Sequence, residues 1–381
     1  MKICAIICEY NPFHNGHLYQ MQEAKRLAKA DALLCVMSGN FVQRGEAAIM
    51  NKFTRAKHAV LAGADAVIEL PTVFATSNAE LFAKGAVALL SSIPQVTTLC
   101  FGAETADKEA FIKAATLLNN EPTEISNKIK ELSSTGVSYA KARCLAWESV
   151  LSESLLSSPN NILGLEYTRA ILSLGANIDI LPIQRVGNGY KDGEIKEGYS
   201  SATAIRNAIC EGRSYENNLP DFVANDLPKR LENSLETLEK YALLSTPLDE
   251  IAKICDCSEG LENALKKAAQ NEESLVASLT SARYTSSRIR RIALQNLLKI
   301  KEPLIRDSLR NPLYLRILGV KKERKELLSA LSEASLPIIA RPRDENALTD
   351  TAQACYAIDT FAEKVYGLLY NTKKEIDIFI E

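Results

Sequence analysis

Histidine is scarce, with three residues in a chain of 381, so there is no histidine-rich metal tract and any imidazole inside a motif stands out. Cysteine supplies no framework either. Nine are present, an odd number, and only Cys255 and Cys257 lie within two positions of each other, which fits neither a disulfide scaffold nor paired CxxC zinc knuckles. The thiols are therefore expected to be reduced and packed. No run approaches the eighteen or so apolar residues a membrane-spanning helix needs, and the opening run 3–7 is too short for a signal h-region. A cytoplasmic protein without a membrane anchor is expected, with no obligatory protein partner evident. Net charge is nearly absent too, at −2, and 46% hydrophobic with 24% charged residues is the globular average. A chain this long exceeds the usual single-domain size, so two compact units are expected.

The near-zero charge hides an asymmetry. Residues 283–325 hold thirteen Lys or Arg against three Asp or Glu, a local charge of +10 that leaves −12 for the rest. Such a segment reads either as a solvated helical face or as a surface that tracks phosphates.

Apolar β-rich runs at 2–8, 32–37, 66–70, 97–101 and 178–182 alternate with helical stretches near 16–30, 51–62, 78–91 and 107–119. Alternation of this kind implies an α/β fold with a Rossmann-like parallel sheet, whose ligand lies at the carboxyl ends of the strands. Residues 123–174 read as further helices before the fifth strand. Beyond about 215 the strand signal fades, and Leu231, Leu235 and Leu238 recur at helical spacing. Asn217, Asn218, Pro220, Asp221 and Pro228 crowd the boundary. The expected division is a nucleotide-binding domain over 1–215 and a mainly α-helical, basic domain over 216–381.

Two of the three histidines, His14 and His17, bracket Asn15 and Gly16 directly after the first strand, in EYNPFHNGHL. Pro12 ends the strand, Asn15 and Gly16 supply turn chemistry, and a helix begins with His17 in its first turn. The free N–H groups and partial positive charge of a helix start favour a phosphate. Two imidazoles add donors for the charge that grows on an α-phosphate and a departing pyrophosphate. HxxH also reads as a zinc half-site, but no further ligand stands nearby at the right spacing, so no metal-ligating residue is named. His58 reads as packed or exposed within a helix.

HNGH after an N-terminal strand resembles the HIGH-type nucleotidyltransferase superfamily. Its second signature, the phosphate-binding ISSTxIR element, resembles SSATAIR at 200–206, with Thr203, Ile205 and Arg206 aligned and Ala202 in place of a serine. There Thr203 offers one hydroxyl and Arg206 a guanidinium fork, although Ser200 and Thr203 also read as plain helix caps. Longer strings narrow the resemblance: EYNPFHNGHLYQ, MSGNFVQRGEAAIMNKFTRAKHAVLAGADAVIELPTVFA, FGAE, SPNNILGLEY, LPIQRVGNGYKD and SARYTSSRIRRIALQNLL are similar to the tRNA(Met) cytidine acetate ligase family, over both halves of the chain.

That resemblance implies a two-step ligase. Acetate attacks the α-phosphate of ATP to give acetyl-adenylate and pyrophosphate, and the wobble cytidine of elongator tRNA(Met) takes the acetyl group as N4-acetylcytidine. His14 and His17 are its catalytic pair. By similarity the ATP site comprises Ile7, Cys8, Glu9, Tyr10, Asn11, Pro12, Phe13, His14, Asn15, Gly16, His17, Leu18, Tyr19 and Gln20, together with Gly102, Asn161, Arg185 and Val186; Thr203 and Arg206 join it through the second motif. In this reading Gly102 leaves room for adenosine, Asn161 offers its amide to base or ribose, Arg185 reaches nucleotide oxygens and the Val186 backbone reads the adenine edge. Asn40, Gln43 and Arg44 are placed to position acetate or cytidine, and Lys52 and Arg55 read equally as RNA contacts or solvent charges. Magnesium is expected to ride mainly on ATP and water.

Within the basic segment Arg288, Arg291 and Gln295 fall on one side of a helix, and Ile289, Ile292 and Leu297 on another. Arg288 and Arg291 are the expected RNA contacts, extended by Arg306, Arg310, Arg316, Lys321, Lys322, Arg324 and Lys325, while Tyr284 and Tyr314 read either as stacking platforms or as core. Two other classes share part of this pattern: a small-molecule adenylyltransferase or pantoate-type ligase, and an RNA-binding ATP sensor.

Overall fold

The computed structural model describes every residue except 138, 149, 152–154, 157, 187–194, 196–197, 229–233, 312 and 371–377, and leaves out the side chains of 140 and 325. Leu231, the Lys325 side chain and the end of the LPIQRVGNGYKD string thus lie outside the described residues.

Ten strands are described: β1 (Ile3–Cys8), β2 (Ala32–Ser38), β3 (Phe41–Val42), β4 (Glu46–Ala47), β5 (Ala66–Leu70), β6 (Val96–Ala103), β7 (Asp179–Gln184), β8 (Leu315–Lys321), β9 (Ile338–Ile339) and β10 (Phe379–Ile380). The helices that bear on the site are α1 (Asn15–Ala28), α2 (Lys52–Leu61), α3 (Ala79–Ser91), α4 (Lys108–Asn119), α5 (Pro159–Leu174), α6 (Ala202–Glu211), α7 (Leu235–Ser245), α8 (Ser286–Leu297) and α9 (Asp350–Leu369). All five strands expected from the apolar runs are present, and so are the four helices between them.

The main sheet runs β10-β8-β5-β2-β1-β6-β7, with β9 beside β8. Strands β5, β2, β1, β6 and β7 are parallel. Their sequences are nearly continuous apolar runs because helices cover both faces. Side chains alternate accordingly: Ile3, Ala5 and Ile7 enter one core, while Cys4, Ile6 and Cys8 enter the other. From β1 the chain steps outward through β2 to β5 and then returns to the opposite side of β1 with β6. That reversal opens a crevice between the carboxyl ends of β1 and β6, where a ligand site belongs in such a sheet.

The C-terminal half departs from the expected division. Between Asp221 and Ser308 the described elements are all helical, and they enclose a small core of their own that includes Leu243, Ile254, Leu265, Ile289 and Ile292. Past that point the chain comes back to the sheet. β8 pairs antiparallel with β5, and β10 parallel with β8. A boundary at 215/216 therefore does not separate sheet from helices. The strand signal of LRILGVK is obscured by Arg316, whose charge is met across the fold: its guanidinium lies 3.2 Å from Glu69 on β5 and 2.6 Å from Glu363 on α9. Both carboxylates also hold the buried Lys52, each at 2.6 Å.

Candidate active site

Strand β1 delivers the chain to the crevice at Cys8. Tyr10 then takes a left-handed backbone (φ 48), and His14 becomes the N-cap of α1. The His14 Nδ1 accepts the Gly16 N–H at 3.1 Å. That bond assigns Nδ1 as the bare nitrogen and leaves Nε2–H as the outward donor. The His17 ring stacks on the His14 ring with centroids 3.6 Å apart and 25° between planes, backed by Tyr10 at 4.9 Å and Phe13 at 5.7 Å. Burial, with Arg185 adding repulsion, lowers His14 to about 3, and burial together with His14 and Arg185 holds His17 well below the usual imidazole range. Both rings are neutral at pH 7, so they serve as polar donors and not as standing cations.

Gly16 makes room for this arrangement. A Cβ there would stand 2.9 Å from the His14 Cε1 and displace the ring. The helix start is also less open than the sequence suggests, since the Gly16 N–H bonds His14 Nδ1 and the His17 N–H bonds the His14 carbonyl at 2.9 Å. The groups this turn leaves to offer a ligand are therefore mainly side chains and the helix dipole.

Across the crevice β6 and β7 bring up Gly102, paired in register with Ile183, and Arg185, whose N–H donates to the Ala103 carbonyl at 3.0 Å. A Cβ on Gly102 would make only ordinary contact with Arg185 and Gln20, so this stretch of wall stands open. Val186 is exposed. Asn161 is fully buried at the start of α5, and its Oδ1 accepts the Glu104 N–H at 2.9 Å while Glu104 Oε2 accepts the Asn161 N–H at 3.1 Å. This reciprocal pair fixes the loop after β6.

The second motif does reach the first. Ser201, not Ser200 or Thr203, caps α6 by accepting the Ala204 N–H at 3.1 Å. Arg206 donates to the Asn11 carbonyl at 2.8 Å, lies 3.4 Å from the Thr203 hydroxyl, and pairs with Glu46 at 3.5 Å. Its guanidinium thus braces the histidine turn from behind. Asn15 ties the same turn to the carbonyls of Gly198 and Asn217, each at 3.0 Å.

Beneath the site lie residues that pattern reading misjudges. Lys52 and Arg55, which read equally as RNA contacts or solvent charges, follow one another with His58 at three-residue spacing on α2, and all three are buried. Arg55 donates to the carbonyls of Glu9, Ser38, Gly39 and Met50, so one guanidinium gathers the exits of β1 and β2. His58 bonds Asp226 at 2.9 Å. Gln43 donates its N–H to Glu9 at 2.7 Å, and Asn40 accepts the Lys52 N–H at 2.8 Å. Burial raises the Glu9 carboxyl, against the pull of the Gln43 N–H and of Arg206, Arg44 and Arg55. These residues shape the floor. The local signal that distinguishes them is weak because their acceptors are distant backbone carbonyls and carboxylates.

The expected cationic face of α8 is turned inward. Arg288 donates to the Asp256 carbonyl at 2.9 Å and to Ser258 at 2.8 Å; Arg291, 12% exposed, pairs with Asp256 at 3.6 Å. Gln295 is buried and donates to the Thr76 carbonyl at 2.8 Å. Arg290 pairs with Glu46 at 3.1 Å. α8 joins the helical region to the sheet, so its charges are neutralised within the chain. Tyr314 is core, donating to Asp359, whereas Tyr284 lies near the surface with its hydroxyl on the Glu259 carbonyl. Arg283, Lys299 and Arg310 are exposed.

Among the described residues, no group of three or more His, Cys, Asp or Glu is placed to hold a metal ion, and no helix is long and apolar enough to cross a membrane. The HIGH Nucleotidyl Transferase family model matches residues 1–378. A tRNA(Met) cytidine acetate ligase of Thermoanaerobacter sp. (strain X514) is 41% identical, over 97% of this chain and 96% of the relative. Among solved structures, Thermotoga maritima TmcAL in an apo form superposes with a TM-score of 0.90 at 33% identity, over 98% and 96% of the two chains. The same protein bound with alpha-thio ATP gives a TM-score of 0.87 at 33% identity, over 98% and 95%. A crevice built around a stacked HxGH pair, in a chain that matches such proteins from end to end of the fold, identifies this protein as a member of the tRNA(Met) cytidine acetate ligase family of HIGH nucleotidyltransferases.

Proposed function

We propose that this protein activates acetate with ATP and transfers the acetyl group to the N4 amine of the wobble cytidine of elongator tRNA(Met). The observation that carries the reading is the stacked neutral pair of His14 and His17, at the start of the helix after the central strand and facing Arg185 across the crevice. A triphosphate entering there meets Nε2–H of His14, the His17 ring and the Arg185 guanidinium. As an acetate oxygen bonds to the α-phosphorus and the bond to pyrophosphate breaks, negative charge grows where these donors converge. The Gly16 N–H keeps His14 in one tautomer and Asn15 holds the turn, so little reorganisation accompanies the charge shift. In the second step the N4 nitrogen bonds to the acetyl carbon, the carbon–oxygen bond to AMP breaks, and N4 loses one proton.

A divalent ion held mainly by ATP and water would neutralise phosphate charge. Exposed Arg283, Lys299 and Arg310 are better placed than Arg288 and Arg291 to meet tRNA phosphates, because their charge faces solvent.

The test is in two parts. Acetate-dependent ATP–pyrophosphate exchange should be present in the wild type and should fall by about 100-fold or more in His14→Ala and His17→Ala, with unchanged circular dichroism. Mass analysis of tRNA incubated with enzyme, ATP and labelled acetate should show one added acetyl group. Exchange without tRNA acetylation would make the protein a small-molecule ligase instead.

A further inference from the structure

Strand β1 runs out into a carboxylate. Glu9 follows Cys8 directly, at the mouth of the crevice, and is only half-buried. Its neighbours fix it in place. The Arg55 guanidinium donates to its carbonyl, and the Gln43 N–H donates to its Oε1 at 2.7 Å. The other oxygen, Oε2, bonds to none of the described residues and is not closed off from solvent. On the far side stands Tyr167 of α5, held protonated by burial and by the nearby Glu9 charge, with its ring 6.0 Å from Phe101 on β6. Tyr10, the next residue, lays its ring 4.9 Å from that of His17. The carboxylate therefore sits over the step from β1 to β6, one residue from the histidine wall and beside the place where the acetyl-adenylate forms in the reading above.

A negative charge is out of place among donors that serve a triphosphate. Acetate and ATP are both anions, and a carboxylate repels each of them. What it offers instead is a lone pair that takes a proton. The second half-reaction needs such an acceptor, because N4 loses a proton as it bonds to the acetyl carbon. The other candidates among the described residues around the crevice are engaged or closed off. His14 Nδ1 already accepts the Gly16 N–H, and His17 Nδ1 is sealed from solvent without a partner. Glu104 accepts from the Asn160 side chain with one oxygen and from the Asn161 N–H with the other. Glu46 pairs with Arg290 and Arg206.

We propose that Glu9 is the catalytic base of acetyl transfer, its Oε2 taking the proton from N4 as that nitrogen bonds to the acetyl carbon and the carbon–oxygen bond to AMP breaks. The proposal rests on the reading that a cytidine amine receives the acetyl group.

Wild type and Glu9→Gln are compared in two assays across a range of pH: acetate-dependent ATP–pyrophosphate exchange, and single-turnover acetyl transfer to tRNA from acetyl-adenylate formed on the enzyme. The amide keeps the bond to the Gln43 N–H and removes the proton acceptor. Glu9 also borders the nucleotide, so the deciding quantity is the ratio of the two effects. Transfer should fall by about 100-fold or more, and by at least about ten times more than exchange. The wild-type transfer rate should rise with pH along a limb that exchange lacks, and Glu9→Gln should lose that limb. Burial raises the Glu9 carboxyl, against the Gln43 N–H and the charges of Arg206 on α6, Arg44 in the β3–β4 turn and Arg55 on α2, so the limb should lie above the ordinary carboxylate range. Equal losses in both assays would make Glu9 a contact of the nucleotide or its metal, and transfer within about threefold of wild type would leave no base to name there. Either result overturns the proposal and leaves the ligase reading standing. Should Glu9→Gln not fold, the wild-type profiles decide: a transfer rate with no such limb, or with one that exchange shares, overturns it. Absence of tRNA acetylation by the wild type would instead remove the ligase reading itself, and the proposal with it.

Discussion

His14 performs two tasks with one ring, and they constrain each other. Accepting the Gly16 N–H at Nδ1 caps the helix and fixes the tautomer, while burial under the His17 ring keeps the imidazole neutral. Neutrality in the fold has a consequence for stability. The folded pKa is about 3 against an ordinary value of 6.5, so between those values the unfolded chain binds the extra proton and stability is lost as pH falls through that window. For His14 the loss amounts to about 2 kcal/mol by pH 5. His14→Asn keeps an N-cap acceptor and removes the titration. Its urea-unfolding free energy should therefore fall less than that of wild type between pH 7.5 and 5, by roughly that amount. The position of the pair was legible in HNGH alone, since strand, turn and helix start are local. Its neutrality was not, because burial depends on the packed fold and the added repulsion comes from Arg185 on the opposite wall, far away in sequence.

At the scale of elements, the β3–β4 hairpin and α8 show how the helical region is fastened to the sheet. Gly45 sits at the hairpin with φ +73, and a Cβ there would come 2.5 Å from the Arg291 nitrogen and 2.6 Å from the Arg290 carbonyl carbon. Backbone meets backbone at this point, and no side chain can yield. Gly45→Ala combines a left-handed strain with that clash, and it should lower the unfolding free energy by about 2–4 kcal/mol, read from urea titration. The spacing predicts an amphipathic helix over 285–298, present as α8, and on spacing alone its cationic side reads as one that faces RNA. Arg288, Arg291 and Gln295 instead meet Asp256, Ser258 and Thr76. Helical periodicity tells which residues share a side and is silent on whether that side faces water or another part of the chain.

Over the whole molecule, the sheet depends on strands from both ends of the sequence. β8 covers the β5 edge, and Arg316 and Glu363 complete the buried charges of Lys52 and Glu69. Removing one side of such a network leaves uncompensated charge in the interior, at a cost of about 3–5 kcal/mol. A fragment of residues 1–215 keeps every residue of the nucleotide crevice proposed above and loses β8 and α9. It should not unfold as one cooperative unit, and it should expose an unpaired strand edge prone to association. A sharp, reversible calorimetric transition from a monomeric fragment would count against this account of the fold.

What the sequence determined by itself is the parallel sheet and the turn at the end of its first strand, because apolar runs, turn residues and a helix start are settled within about twenty neighbouring positions. Only the tertiary structure decided what the charged side chains do. Lys52, Arg55, Arg288, Arg316 and Glu239 look alike in one dimension. Three-dimensional packing either matches each with a distant partner or, for the Oε1 of Glu239, buries it with no hydrogen-bond partner among the described residues, since pairing and desolvation depend on what is near in space and not in sequence.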